Sequence, residues 1–269
     1  MAPGMRIATW NVNSLKARLP RVEEWISYAR PDVLCLQETK MTDEAFPYMT
    51  FQLLGYDAAH NGDGRWNGVA ILSRVGLEDP VPGFRGAAGE KAECRLLSAT
   101  CGGVLVMSVY VPNGRRVGSE HYAAKLAWLE DLLRHVEASC DPDAPVAICG
   151  DFNVAPDDRD VWDAAAVHGA THVSEQERAA VRALLEWGLV DVFRALHTEP
   201  GLYSWWDYRA GDFHRRKGMR IDLALMSHVL ADRATFALID RNARKGKLPS
   251  DHAPALIDVD IEDLKEATP

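Results

Sequence analysis

The chain contains no apolar stretch approaching the roughly 20 residues that a membrane span needs, so nothing in it reads as a membrane anchor. It has no Pro/Gly/Ser-rich linker and no low-complexity run, and its length allows one large or two small domains. The opening M-A-P-G-M-R lacks the apolar core of a signal peptide, and the expectation is a soluble cytoplasmic protein. Five cysteines, an odd number without C-x-x-C spacing, fit a reducing compartment and argue against a structural zinc site. Cys35 and Cys149 lie inside apolar runs and read as core residues. The acidic loop Asp157 to Asp163 lacks the spacing and the central glycine of a calcium loop, and is expected to be solvated.

What the chain does have is apolar content: 47% of its 269 residues, enough for a substantial core. Its net charge is −9, but placement matters more than the sum. The acids crowd Asp258 to Glu266, whereas Arg209, Arg215, Arg216, Lys217 and Arg220 stand against the single Asp212, and Arg241, Arg244, Lys245 and Lys247 form a second basic run. Such runs are commonly solvated loops. Here both lie beside polar residues of chemical interest.

The organising stretch is Pro145 to Asn153, P-V-A-I-C-G-D-F-N. Val146 to Cys149 reads as a buried strand, and Gly150 is expected to turn the backbone so that Asp151 and Asn153 sit on the following loop. The carboxyl ends of strands are where open α/β sheets keep their chemistry. Met5 to Val12 is a strand that leads into Asn11, Asn13 and Ser14; Leu19, Val22, Trp25, Ile26 and Ala29 then mark one helical face. Val33 to Gln37 is a strand running into Glu38, Thr39 and Lys40. Tyr56 to His60 pairs with Gly68 to Ser73 as a hairpin, Gly83 to Glu90 is a loop, and Glu93 to Thr100 pairs with Val104 to Val111, leading into Asn113. Tyr122, Leu126, Leu129, Leu133 and Val136 mark a long amphipathic helix; Ser174 and Glu177 make a capping box for another. Tyr203 to Tyr208 and Arg220 to Met226 read as strands, the second burying Asp222, which then needs a partner. Asp251 and His252 precede the last strand, Ala255 to Val259.

Each polar group has a bland reading alone: a turn for Asn11, a cap for Glu38, a satisfied core histidine for His252. Together, five strand ends deliver Asn11, Glu38, Tyr110, Asp151 with Asn153, and Asp251 with His252. Phosphodiester hydrolysis requires such a set, because the protein's task is positioning and charge neutralisation. Oxygen donors such as Glu38 and Asp251 suit Mg²⁺ or Mn²⁺, and no His/Cys set suits zinc.

The ordered motifs W-N-V-N-S-L, L-Q-E-T-K, Y-V-P-N-G, G-D-F-N-V-A-P, S-W-W-D-Y, R-I-D-L and S-D-H-A-P resemble the exodeoxyribonuclease III family of abasic-site endonucleases, within the endonuclease/exonuclease/phosphatase superfamily. They run from Trp10 to Pro254. The resemblance implies a single catalytic domain over residues 1–269, folded as a four-layer α/β sandwich, two mixed sheets face to face with helices outside, and a monomer acting on double-stranded DNA with abasic sites or blocked 3′ ends. It implies Glu38 as principal metal ligand with Asn13 and Asp251 near the ion, and Asp151 as activator of water with Asn153 beside it. Asn11 would fix Asp151, Asp222 would orient His252, Tyr110 and Asn113 would contact phosphate or leaving group, and Lys40 would neighbour Tyr110. Trp205, Met219 and Ile221 would wall a pocket for an extrahelical baseless sugar, which is cheap to flip because no base is unstacked. Arg215 and Arg216 would touch DNA phosphates. Three positions depart from the pattern: Ser14 stands where glycine is usual, Asn13 where some relatives carry aspartate, and Met219 at a variable wall position. Two rival functions remain: a phosphatase or phosphodiesterase for a small molecule or lipid headgroup, and a catalytically silent DNA-damage binding module.

Overall fold

The computed structural model describes residues 4–84 and 93–261. Most of the loop expected at Gly83 to Glu90, and most of the acidic tail beyond Asp258, lie outside the described residues.

Parallel strands need a long crossover, and the chain supplies one twice. β1 (Gly4–Asn11) passes through α1 (Leu15–Ala29) to β2 (Val33–Gln37), which lies parallel to it. After α2 (Tyr48–Leu53), the hairpin β3 (Asp57–Asn61) and β4 (Val69–Ser73) extends that sheet. β5 (Glu78–Pro82) opens the second sheet, followed by the hairpin β6 (Leu96–Cys101) and β7 (Val104–Tyr110). α3 (Glu120–Ser139) then crosses to β8 (Val146–Asp151), parallel to β7. The short α4 (Ala164–Val167) and α5 (Glu175–Trp187) lead to β9 (Leu189–Asp191), α6 (Val192–Leu196) and α7 (Asp212–Arg215). β10 (Asp222–Ser227), α8 (His228–Ala231), β11 (Ala234–Ile239) and β12 (Ala255–Asp260) complete the fold.

The sheets run β11-β12-β1-β2-β4-β3 and β5-β6-β7-β8-β10-β9, each with its parallel pair at the centre. Side-chain alternation along each strand then builds the layers. Ile7, Val33, Cys35 and Ile71 from one sheet meet Leu97, Val106, Ala147 and Cys149 from the other. Trp10, Leu34, Leu36 and Leu72 face outward onto Val22, Trp25 and Ile26 of α1, whereas Met107, Ile148, Leu223 and Leu225 face outward onto Leu129, Val136 and Leu184 of α3 and α5. This is a four-layer α/β sandwich. Every residue of β2 and β8 is buried, and each large aliphatic side chain so placed stabilises the fold by ~1.5–3 kcal/mol.

β5 is a strand on which the sequence reading was silent; its two prolines and exposed acids suit a sheet edge, where missing ladder donors cost nothing. Three sequence expectations change. Tyr203 to Tyr208 is not a strand, because it makes only isolated bridges from Trp205 to Met219 and His252. Gly150 does not make the turn. It lies within β8 opposite Val109, where an added Cβ would stand 1.9 Å from the Val109 carbonyl oxygen, so close backbone approach requires glycine there. The turn comes at Asn153, with φ 51°. The acidic loop is also not simply solvated: Asp160 is fully buried against Arg194 and Arg220, which removes Arg220 from the basic run.

Candidate active site

Register places the chemistry. Asn11 pairs with Gln37 at the ends of β1 and β2, and Tyr110 pairs with Asp151 at the ends of β7 and β8. Antiparallel β10 starts there, so Asp222 lies opposite Asp151. Glu38 follows β2 with φ 53°, and its carbonyl accepts the Ser14 N–H at 2.7 Å. Ser14 has φ 86° and Asn13 φ 44°, so the chain keeps a glycine-like backbone where glycine is absent. Strain of this kind persists where surrounding hydrogen bonds over-determine it. The last loop is fixed by Ser250, whose hydroxyl donates to Asn11 O at 2.7 Å, and by the Trp10 indole donating to His252 O at 3.1 Å.

One amide ties the two sheets. Asn11 Nδ2 donates to Glu38 Oε1 at 2.8 Å and to Asp151 Oδ2 at 2.9 Å, while its Oδ1 accepts the Asn13 N–H at 3.0 Å. Asn153 closes on Asp151 from the other side: its N–H donates to Oδ1 at 2.8 Å, and its side-chain amide lies 3.3 Å from Oδ2. Asn113 Nδ2 donates to Asn153 Oδ1 at 3.1 Å. His252 Nδ1 donates to Asp222 Oδ2 at 2.8 Å, which leaves Nε2 3.8 Å from Asp151 Oδ2. Asn13 Nδ2 donates to Asp251 Oδ1 at 3.0 Å. Lys40 sits on Glu38 Oε2 at 2.8 Å and on Asn13 Oδ1 at 2.5 Å.

The electrostatics follow from burial and crowding. Burial pushes the Asp151 carboxyl up to about 7; the His252 charge opposes this, and the Asp222 charge adds to it. Burial alone would lower His252, but Asp222 and Asp151 outweigh it and raise the imidazole to about 10, so the ring is cationic at neutral pH. Tyr110 is raised by burial, then by the Glu38 and Asp151 charges, and stays a phenol that can donate.

Glu38 and Asp151 bring carboxylate oxygens within 4.8 Å of each other and of the His252 ring, whose positive charge makes it a donor rather than a metal ligand. Four carboxylates, Glu38, Asp151, Asp222 and Asp251, face two cations, Lys40 and His252, so the site carries excess negative charge. Mostly oxygen donors in an acidic field fit a hard divalent cation.

A sequence model described as the endonuclease/exonuclease/phosphatase family matches residues 8–252. The chain belongs to that family. Exodeoxyribonuclease III of Haemophilus influenzae is 35% identical over 93% of this chain and 98% of its own. An AP endonuclease from Archaeoglobus fulgidus superposes with a TM-score of 0.91 at 37% identity, over 95% of this chain and 99% of that one. A 3′ phosphatase from Neisseria, bound to a product DNA hairpin, gives the same TM-score, 0.91, identity, 37%, and coverage, 95% and 99%.

In this family member the remaining expected residues fall into two groups. Trp205, Met219 and Ile221 pack together with Ala155, Val161 and Val173 beside the carboxylates, and the Trp205 indole donates to Asp251 Oδ2 at 3.2 Å. Arg215 and Arg216, at the end of α7, are exposed. Arg244 of the second basic run is instead buried, its guanidinium 4.8 Å from the Phe213 ring centre and 5.9 Å from that of Trp206. The sequence reading missed Arg95, whose guanidinium lies 4.7 Å over the Tyr110 ring. The hairpin register was the signal: Leu96 opposite Val109 puts Arg95 beside Tyr110. It also missed Lys125, which lies within the buried stripe of α3.

Proposed function

We propose that this chain is a DNA repair nuclease that uses Mg²⁺ or Mn²⁺ to cut duplex DNA on the 5′ side of abasic sites. We also assign it the trimming of 3′ ends, removal of 3′ phosphates included. It would work as a monomer, with residues 1–269 as one catalytic domain; the family match over 8–252 supports that extent. One observation carries the reading: Asp151 is held between the Asn11 amide at 2.9 Å and the Asn153 N–H at 2.8 Å, with cationic His252 across from it. A carboxylate fixed so firmly, and raised to about 7, is poised to take a proton near neutral pH.

In the proposed step, water attacks phosphorus, its proton passes to Asp151, and the bond from phosphorus to the 3′ oxygen breaks. Asn153 and Asn113 hold nonbridging oxygens, and the His252 imidazolium, kept cationic by Asp222, offsets the charge gathering on the phosphorane. Tyr110, a phenol above its ordinary range, donates toward phosphate or leaving oxygen. Glu38, with Asn13 and Asp251 near it, would hold the divalent ion, and a bound ion supplies charge neutralisation at the phosphate oxygens. Trp205, Met219 and Ile221 would wall the space for a flipped baseless sugar.

The test is a gel assay with Mg²⁺ and with EDTA, on a duplex carrying one abasic analogue and on the matched intact duplex. The expected result is incision 5′ to the analogue that EDTA abolishes, with slower digestion of intact 3′ ends. Digestion from ends alone would replace the endonuclease reading with an exonuclease. Inertness toward both, with turnover of a small phosphodiester, would move the chain to the small-molecule branch of the family.

A further inference from the structure

α3 carries a lysine where the apolar face predicted only core. Lys125 is fully buried and donates through Nζ to Glu177, equally buried, and to the backbone carbonyl of Asn153 at 2.6 Å. A charge pair taken so far from water costs more than apolar side chains of the same size, so its retention needs a reason beyond stability. The capping box accounts for Glu177 accepting from the Ser174 N–H, but it requires no lysine.

The hydrogen bonds around the pair lead to the two carboxamides. His172 Nδ1 also reaches Asn153 O, at 2.5 Å, and must donate because a carbonyl only accepts. The Thr171 hydroxyl lies 3.2 Å from both Glu177 Oε1 and Asn113 O. An added Cβ at Gly114 would stand 2.9 Å from Lys125 Cδ, so the Asn113 loop rests directly on the lysine stem. The pair thus supports Asn153 and Asn113, whose side chains touch each other at 3.1 Å. Asn153 in turn holds Asp151 through its N–H.

We propose that Lys125 and Glu177 are positioning residues that preset the Asn153 and Asn113 amides against the scissile phosphate. This rests on the nuclease reading above. The pair acts through Asn153 and Asn113, so its loss should slow the chemical step more than it weakens binding.

The experiment compares wild type with the double variant Lys125→Met/Glu177→Gln in steady-state incision of the abasic duplex, alongside thermal melting. Removing both charges of a buried pair together is commonly neutral or stabilising, and the glutamine oxygen keeps an acceptor for the His172 and Ser174 N–H groups, so melting should stay near wild type. A displacement of about 1 Å in a positioned group costs on the order of a hundredfold, so kcat should fall by about tenfold to a hundredfold. KM should stay within about threefold, the pattern of a lost transition-state contact. A double variant with wild-type melting and wild-type kcat overturns the inference, leaving the pair as scaffolding. If the double variant does not fold, Lys125→Arg against Lys125→Met decides: recovery of kcat by the arginine supports positioning, and equal kcat in both overturns it. Wild-type protein that makes no incision overturns the nuclease reading and this inference with it. Incision by wild type with an unaffected variant overturns this inference alone.

Discussion

Arg220 and Asp222 stand on either side of Ile221 and belong to buried charge clusters of opposite design. Arg220 joins Arg194 in facing Asp160 and Asp191, two cations against two carboxylates, with ion-pair distances of 2.6 Å. Asp222 joins Glu38, Asp151 and Asp251 against His252 and Lys40, four carboxylates to two cations. Carboxylate oxygens find donors in both clusters; where the charges also match, the cluster is a structural knot. Where they do not, a carboxyl climbs toward neutrality, an imidazole is held cationic and the field favours a divalent ion.

The largest expected effect lies on the unmatched side. Asp151→Asn removes the proton acceptor and should cut incision by at least about a thousandfold, within the range for a lost general base. Binding of abasic duplex should persist, because little of the phosphate grip is removed. Its melting temperature should hold or rise, since the variant buries one charge fewer in a crowded acidic field. Retained turnover with a lowered melting temperature would make Asp151 a structural carboxylate and erase the contrast.

The matched side predicts the reverse. Asp160→Asn leaves Arg220 and Arg194 short of a charge, and breaking one partner of a buried pair costs ~3–5 kcal/mol. Denaturant unfolding should show that loss, while kcat per folded molecule stays near wild type. A cost below about 1 kcal/mol, the scale of a surface pair, would mean that the knot is not one.

The two clusters were unequally legible in the sequence, for a physical reason. Glu38 and Asp151 each end an apolar run, so the strand itself announces a polar group at its tip, whereas the four layers followed from the resemblance of the ordered motifs to a known family. Arg220 lies three residues from Lys217 and was grouped with it, whereas its partners Asp160 and Asp191 lie 60 and 29 positions away. Pairing at such separation leaves no local trace. Lys125 was readable in principle: with Tyr122, Leu129, Leu132 and Val136 it falls on one helical stripe, and a lysine in a buried stripe implies a buried acid. Gly150 was misread because a glycine before a polar loop suggests a turn, and only strand pairing reveals the Val109 carbonyl against it.

A smaller effect concerns a buried group near the carboxamides. Burial, followed by the Lys125 charge, lowers His172 from 6.5 to about 4. Between those values the unfolded chain takes up a proton that the folded chain refuses, so stability falls as pH drops through that window and is unaffected above it. The stability of wild type minus that of His172→Gln should therefore be constant above pH 6.5 and decline toward pH 4. A difference that stays flat throughout would show His172 charged and paired in the fold.

The smallest effect belongs to charges in neither cluster. Arg215 and Arg216 are exposed at the end of α7, where they cost the fold nothing and can serve only what approaches from outside. If each meets one phosphate, the double change to Glu should lower the slope of log affinity against log salt by about 2, since each neutralised phosphate contributes roughly 0.9. Melting temperature and kcat at saturating DNA should not move, because neither side chain is part of the buried charge networks. An unchanged salt slope would return both arginines to the solvated surface. A changed kcat would instead tie α7 to the carboxylate site and extend the unmatched cluster outward to the rim.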